Sequence, residues 1–257
     1  MTGVILCAFQ SEDTLDACLA PWLATKRAHP GDYIICAVSV PFEGFPQDPP
    51  DRTRQILDGY AATGEIDHLI TSDQPMKETE ARGRALRWLV EKGAALTVMV
   101  DSDETWSQEQ ITAALAFVDA NPWVQWFRVP YKQMVFTRDQ WLAQPFIPAR
   151  IHRTHIHGGY VAAGFWDDNN VFYRRPWEAD GKVVRDAELA CLVIPQALVW
   201  VSHETWLSNA RSRAKVRYQT SRGWQCSFCW DEATDSLRFN DAYYALTGEC
   251  IPEVVHA

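Results

Sequence analysis

Through its first 120 residues the chain alternates short apolar runs with stretches of helical period. Residues 4–9 read as a buried strand, and Ser11 follows as a candidate helix cap ahead of Leu15, Cys18, Leu19 and Leu23 at helical spacing. Residues 33–40 form a second apolar run, the Pro- and Gly-rich segment 41–50 a loop, and 52–62 a helix that Gly64 stops. A third strand is predicted over 66–70. A helix over 78–92, with Leu86, Leu89 and Val90 inward, ends at Gly93, and a strand over 96–100 follows. A further helix, Gln108–Ala120, is closed by Asn121-Pro122. Strands without clear polar positions, separated by helices, predict a parallel sheet covered on both faces, with ligands bound outside the carboxyl ends of the strands.

The second half is less regular. Strands are predicted over 124–129, 133–137, 171–174 and 197–201, and a helix over 206–222. Segments 141–150 and 157–170, rich in Trp, Gly and Pro, read as loops, and 138–148 as an acceptor-facing loop.

The segment ALTVMVDSDETW (95–106) poses the chemical question, because a buried strand runs into three carboxylates within four positions. Charges that close repel unless a cation sits among them or water takes them all. Asp101 and Asp103, two apart in extended chain, point the same way and suit a divalent cation such as Mn²⁺ or Mg²⁺. The plainer alternative is a solvated turn capping the next helix through Thr105 or Ser107.

The 257 residues are 47% hydrophobic, with twelve tryptophans and a formal net charge of −9. That charge argues against broad binding to nucleic acid or an anionic membrane. No apolar run reaches the length of a membrane span, and the opening residues lack a basic n-region, so no signal peptide is expected. Seven scattered cysteines fit a reduced, cytoplasmic chain. Cys226 and Cys229 have C-x-x-C spacing without a second ligand pair, and His152, His155 and His157 have no nearby acid before Asp167.

Four segments resemble the GT-A glycosyltransferases, closest to the family-2 group of inverting, nucleotide-sugar-dependent enzymes. They are VILCAFQSEDTLDACLAPWL (4–23), ETEARGRALRWLVEKGAALTVMVDSDE (78–104), NNVFYRRPWEADG with RDAELA (169–190), and ALVWVSHETW (197–206). The resemblance implies an α/β GT-A fold over 1–257, with a mostly parallel sheet flanked by helices. Its nucleotide-sugar-binding half would be 1–122, and its acceptor-binding half, with a C-terminal basic helix, 123–257. It implies a hexosyl- or pentosyltransferase with Asp103 as direct metal ligand, Asp101 turned toward ribose or metal-bound water, and His203 completing the site. Asp186 is the expected base. Glu188 would orient the site, with Trp166, Asp167 and Asp168 as acceptor or sugar contacts.

The donor set is Phe9, Glu43, Asp73, Arg82 and Ser102, with a UDP-sugar favoured. Where family members carry an Asp-rich segment after the second strand, this chain reads AVSVPFEGF (37–45), so Glu43 or Asp73 would have to substitute. Arg211 and Arg213, from a stripe that also holds Lys215, Arg217 and Arg222, are expected at the diphosphate. A charge run is also commonly a solvated face. The acceptor is open. A modified DNA base tracked by the basic helix, a nucleotidyltransferase, and a non-catalytic module of the same fold are the alternatives.

Overall fold

In the computed structural model the described residues are 1–45, 51–156, 159–160, 164–166, 172–174, 177–179, 182–184, 191–207, 209–221, 223 and 226–256, with backbone alone between 155 and 184. The first half comprises β1 (Thr2–Cys7), α1 (Leu15–Ala28), β2 (Tyr33–Ser39), α2 (Thr53–Ala62), β3 (His68–Thr71), α3 (Glu78–Glu91), β4 (Leu96–Asp101), β5 (Glu104–Thr105) and α4 (Gln108–Ala120). Then come β6 (Trp126–Arg128), β7 (Tyr131–Val135), β8 (Thr137–Leu142) and β9 (Ala149–Arg153). Three short hairpins follow, pairing β10 (His155–Ile156) with β11 (Gly159–Tyr160), β12 (Gly164–Trp166) with β13 (Phe172–Arg174), and β14 (Trp177–Ala179) with β15 (Lys182–Val184). The chain continues through β16 (Cys191–Val193), β17 (Val201–Trp206), α5 (Asn209–Ser221), β18 (Phe228–Asp231), β19 (Ser236–Phe239), α6 (Asp241–Thr247) and β20 (Val254–His256).

A seven-stranded sheet of order β16-β6-β9-β4-β1-β2-β3 forms the centre. Strands β3, β2, β1 and β4 are mutually parallel, and β9 alone runs antiparallel between β4 and β6. Alternation along β1 and β4 sends Val4, Leu6, Val98 and Val100 to one face, against Leu15, Leu19 and Trp22 of α1, Leu57 of α2, and Ile111 and Val118 of α4. Ile5, Cys7 and Met99 go to the other face, against Ala81, Ala85 and Leu89 of α3. Both faces are covered, as the unbroken apolar runs predict. This is a layered α/β architecture with a mostly parallel sheet flanked by helices, as the resemblance implies.

Ser107, rather than Thr105, caps α4. Its hydroxyl accepts from the Gln110 amide while the Gln110 side chain accepts from the Ser107 amide, a complete capping box. Ser11 does not cap α1 through its side chain. Its carbonyl accepts from the Thr14 and Leu15 amides, and Thr14 is the cap residue.

A second, five-stranded sheet of order β20-β8-β7-β17-β5 carries most of the sequence corrections. The segment over 138–148, expected as a loop, is half strand, with β8 held between β7 and β20. No strand spans 197–201, because Pro195 opens a turn whose carbonyl accepts from Leu198 and Val199. The strand starts at Val201, which places His203 inside β17, and the helix expected from 206 begins at Asn209. Strand β9 falls partly in a segment read as loop. Arg150 and His152 alternate inward with Ala149 and Ile151 there, so an apolar pattern could not reveal it. Among the described residues, no helix is long and apolar enough to cross a membrane.

Candidate active site

The carboxyl ends of β1 and β4 open into a cavity enclosing about 590 Å³ of space open to solvent on one side. One wall is aromatic. Phe9, two residues past β1, meets Phe42 and Phe45 edge-on at 5.9 and 5.8 Å, and Phe45 meets Tyr218 of α5 at 5.3 Å. The opposite wall is charged and comprises Glu78, Arg82, Asp101, Asp103, Arg211 and Lys215. Ser11 and Ser102 join the two walls, their hydroxyls 2.6 Å apart.

The question raised by the acidic run is answered by two buried arginines. Asp101 lies on the α3 face of the sheet, where Arg82 shares the inward side of α3 with Ala81 and Ala85. Arg82 Nη2 stands 2.5 Å from Asp101 Oδ1 and 2.6 Å from Glu78 Oε1, and Nε donates to Cys7 Sγ at 3.4 Å. Arg150 of β9 donates to Asp101 Oδ2 at 2.8 Å and to Glu104 Oε1 at 2.5 Å. Tyr131 donates to Glu104 Oε2 at 2.6 Å, and Arg150 Nε lies 2.9 Å from the Tyr131 hydroxyl. Burial opposes ionisation of Asp101, but Arg82 and Arg150 outweigh it and hold the carboxyl below its usual range. Glu104 is fully buried, and burial pushes it up to about 8 against the pull of Arg150.

Asp103 lies in a different environment, set by strand pairing. β5 runs antiparallel to β17 with Glu104 opposite His203, and the Glu204 amide donates to the Asp103 carbonyl at 2.8 Å. His203 and Thr205, on one face of β17, therefore flank the Asp103 carboxylate. Thr205 donates to Oδ2, and His203 Nε2 stands 3.8 Å from Oδ1. The Thr205 oxygen accepts from Lys215 at 3.3 Å and lies 3.0 Å from His203 Nε2. Burial opposes charge on Asp103, but His203, Lys215, Arg211 and the Thr205 hydroxyl outweigh it, so the carboxylate stays ionised well below its usual range. Burial pushes the His203 imidazole down to about 4 although Asp103 pulls the other way, leaving a neutral ring at pH 7.

The donor chemistry of Asp103 and His203 fits a divalent cation. Two donors each about 2.1 Å from one ion lie roughly 3.0–3.4 Å apart, so a small rotation closes the 3.8 Å gap. A cation on Nε2 requires the ring proton to sit on Nδ1. Both oxygens of Asp101 accept from guanidinium groups, which orients its carboxylate at the edge of the cavity that Asp103 also lines.

Of the other expected residues, Phe9, Arg82, Ser102 and Arg211 line the cavity. Arg82 is 1% exposed, which rules out a solvated helix face. Glu43 and Asp73 do not line the cavity. Glu43 is exposed, and Asp73, with its side chain 86% exposed, pairs with Arg54. The aromatic pair Phe42 and Phe45 takes the place proposed for Glu43.

The basic stripe of α5 divides by helical spacing. Arg211 and Lys215, four apart, face the cavity, whereas Arg213 pairs with Glu232 and Asp235, and Arg217 with Glu232. Arg213 thus does not line this cavity, and among the described cations of the stripe Arg211, Arg213 and Arg217 are each paired with an acid.

Asp186, Glu188, Asp167 and Asp168 lie outside the described residues, as do His157, Arg222 and the side chains of Trp166 and His155. Cys226 Sγ donates to Gln219 and Cys229 Sγ to the Phe239 carbonyl, so each thiol has its own acceptor. Sequence reasoning passed over Arg150, Tyr131 and Thr205, and saw Lys215 only as one of the stripe. The one signal pointing to Arg150 was the acidic run itself, which required buried positive charge from elsewhere in the chain.

No protein-family model and no curated protein matches the chain. Among solved structures it is similar to S. aureus TarS, at 18% identity over 59% of this chain and 28% of that one, with a TM-score of 0.42. It is also similar to S. aureus TarS 1-349 in complex with UDP-GlcNAc, at 20% identity over 52% and 35% of the two chains, with a TM-score of 0.40. A putative glucose-1-phosphate thymidylyltransferase from Bacillus anthracis in complex with a sucrose is 10% identical over 51% and 55% of the chains, with a TM-score of 0.34. The chain spans well under two thirds of the length of each of these structures.

Proposed function

We propose that this protein is a metal-dependent glycosyltransferase that moves a sugar from a nucleotide-diphosphate donor, a UDP-sugar by preference, to an acceptor hydroxyl with inversion. The observation that carries this reading is the two-ended cavity. The rings of Phe9, Phe42 and Phe45, packed edge to face, line it together with the charged side chains of Asp103, Arg211 and Lys215. A nucleoside diphosphate has the matching halves, a planar base for the aromatic side and phosphates for the charged side.

Charge supports the need for a cation. Asp13, Glu78, Asp101 and Asp103 stand against Arg82, Arg150, Arg211 and Lys215, with Glu104 mostly protonated at pH 7. Carboxylates already engage three of the four cations, while Lys215 is held by the uncharged Thr205 hydroxyl. A diphosphate entering this nearly balanced site needs further positive charge. Asp103 and His203 would hold Mn²⁺ or Mg²⁺, which supplies that charge to the departing phosphate oxygens.

In the transfer, the acceptor oxygen bonds to the anomeric carbon while the bond from that carbon to the diphosphate oxygen breaks. The nucleoside diphosphate leaves with the electron pair, and the acceptor proton passes to a base, the role assigned to Asp186. Arg211 and Lys215 orient the diphosphate, and the aromatic wall excludes water from the base.

Calorimetric titration of UDP with and without Mn²⁺, with uridine as control, tests the reading. Micromolar UDP affinity in Mn²⁺ that falls at least tenfold in EDTA, with uridine much weaker, is expected. UDP binding indifferent to the metal, or no binding of any nucleoside diphosphate, overturns it. Mass spectrometry of donor turnover separates sugar transfer from nucleotidyl transfer by the mass added.

A further inference from the structure

A second cavity adjoins the first and shares Arg211 with it. It too encloses about 590 Å³ of space open to solvent, and its lining includes Asp13, Phe136, Arg138, Glu204 and Leu207. β17 separates the two by alternation, with His203 and Thr205 turned toward Asp103 and Glu204 toward the second cavity. A ligand in this cavity therefore reaches the charged end of the first around Arg211.

We propose that this second cavity is the acceptor subsite and that it takes a neutral, hydroxyl-rich group, a sugar unit. The inference rests on the glycosyltransferase reading for the name of the subsite, but the ligand class comes from the lining itself. Its charges are matched. Arg138 donates to Glu204 at 3.1 Å, and Arg211 donates to Asp13 and, at 3.1 Å, to Thr14. Two guanidinium–carboxylate pairs present donors and acceptors side by side, which suits vicinal hydroxyls. They leave no net charge to favour a polyanion.

Phe136 supplies an apolar platform. It is 37% exposed, sits at the turn between β7 and β8 with φ 62°, and is braced edge-on by Phe239 at 5.7 Å. A non-glycine residue with positive φ is uncommon, and a bulky aromatic there is held by its surroundings. The C–H face of a sugar ring stacks on such a surface while its hydroxyls meet the paired charges. Glu204, held by Arg138, is the carboxylate that accepts from a sugar hydroxyl within this cavity.

Saturation-transfer NMR on the whole protein, with a panel of methyl hexosides and a short oligonucleotide as probes, tests the proposal. Asn tolerates positive φ, so Phe136→Asn removes the platform without backbone strain. Arg138→Gln removes one charge pair. At least one methyl hexoside is expected to bind wild type in the millimolar range and at least fivefold more weakly in both variants, with Mn²⁺-supported UDP affinity unchanged within twofold. No saturation transfer from any sugar, transfer that survives both substitutions, or oligonucleotide binding lost in Arg138→Gln overturns the subsite. If sugar binding responds as expected but UDP never binds, the subsite stands as a sugar site and the transferase reading falls.

Discussion

Arg150 Nη2 stands 2.8 Å from Asp101 Oδ2, so the sheet's one antiparallel strand supplies the counter-charge for the carboxylate that ends its neighbour. The same guanidinium also holds Glu104, and both Arg150 and Glu104 are nearly or fully buried. Removing one partner from such a cluster leaves an uncompensated buried charge, which costs about 3–5 kcal/mol. Arg150→Met should therefore lower the melting temperature by roughly 10 °C for a domain of this size. Adding Glu104→Gln should restore part of that loss. A melting temperature unchanged in Arg150→Met would show that the acids are hydrated.

The two aspartates of the D-x-D should fail in different ways. Asp103→Asn is expected to weaken Mn²⁺-supported UDP binding at least tenfold and also to lower the melting temperature, because Thr205, Lys215 and Arg211 stabilise the buried charge it removes. Asp101→Asn removes a charge that two buried arginines share and should cost about 2–4 kcal/mol of stability. Calorimetry paired with urea unfolding reads both effects, and a tenfold loss of UDP affinity in Asp101→Asn as well would contradict the division.

On α5, neighbouring cations should behave oppositely. Lys215→Ala is expected to weaken UDP binding about tenfold, since Lys215 lines the cavity beside Asp103. Arg213→Ala, whose guanidinium pairs with Glu232 on the other side, should change it less than twofold. Comparable losses would mean that the helix presents a different face to the ligand.

Burial pushes the Cys7 and Cys36 thiols up to about 12, in Cys7 against the pull of Arg82. At pH 8 the native protein should alkylate fastest at the exposed Cys191 and Cys250, while Cys7, Cys18 and Cys36 react only after unfolding. The folded thiol pKa is raised, so each buried thiol's contribution is intact below about pH 9 and is lost as pH climbs toward 12. The slope is about 1.4 kcal/mol per pH unit for each thiol. Cys36→Ala should make the alkaline fall in stability shallower between pH 9.5 and 11. Mass spectrometry of alkylated peptides and urea unfolding across that range check the two statements.

The parallel half was legible because its strands are buried on both faces and its helices carry one-sided apolar spacing. Even the cap at Ser107 could be read locally. What stayed hidden depends on distance along the chain. Arg150 lies 49 positions from Asp101, inside a strand buried on both faces whose polar residues are as buried as its apolar ones, so no apolar run marks it. The acidic run shows that a counter-charge is needed without showing where it comes from. On α5, four-residue spacing divides Arg211 and Lys215 from Arg213 and Arg217, but which pair faces the cavity is decided by Glu232 and by the packing of Tyr218 against Phe45. Glu43 and Asp73 were placed by analogy of position, and the chain answers with aromatic side chains instead.

Because β9 enters between β4 and β6 from the opposite direction, the halves divided at residue 122 are not independent folding units. A fragment ending there would carry β4 as a naked sheet edge, with Glu104 stripped of Tyr131, Arg150 and the strand that cover it. Such an edge invites pairing with another copy. During synthesis that edge stays open until residue 153 has emerged.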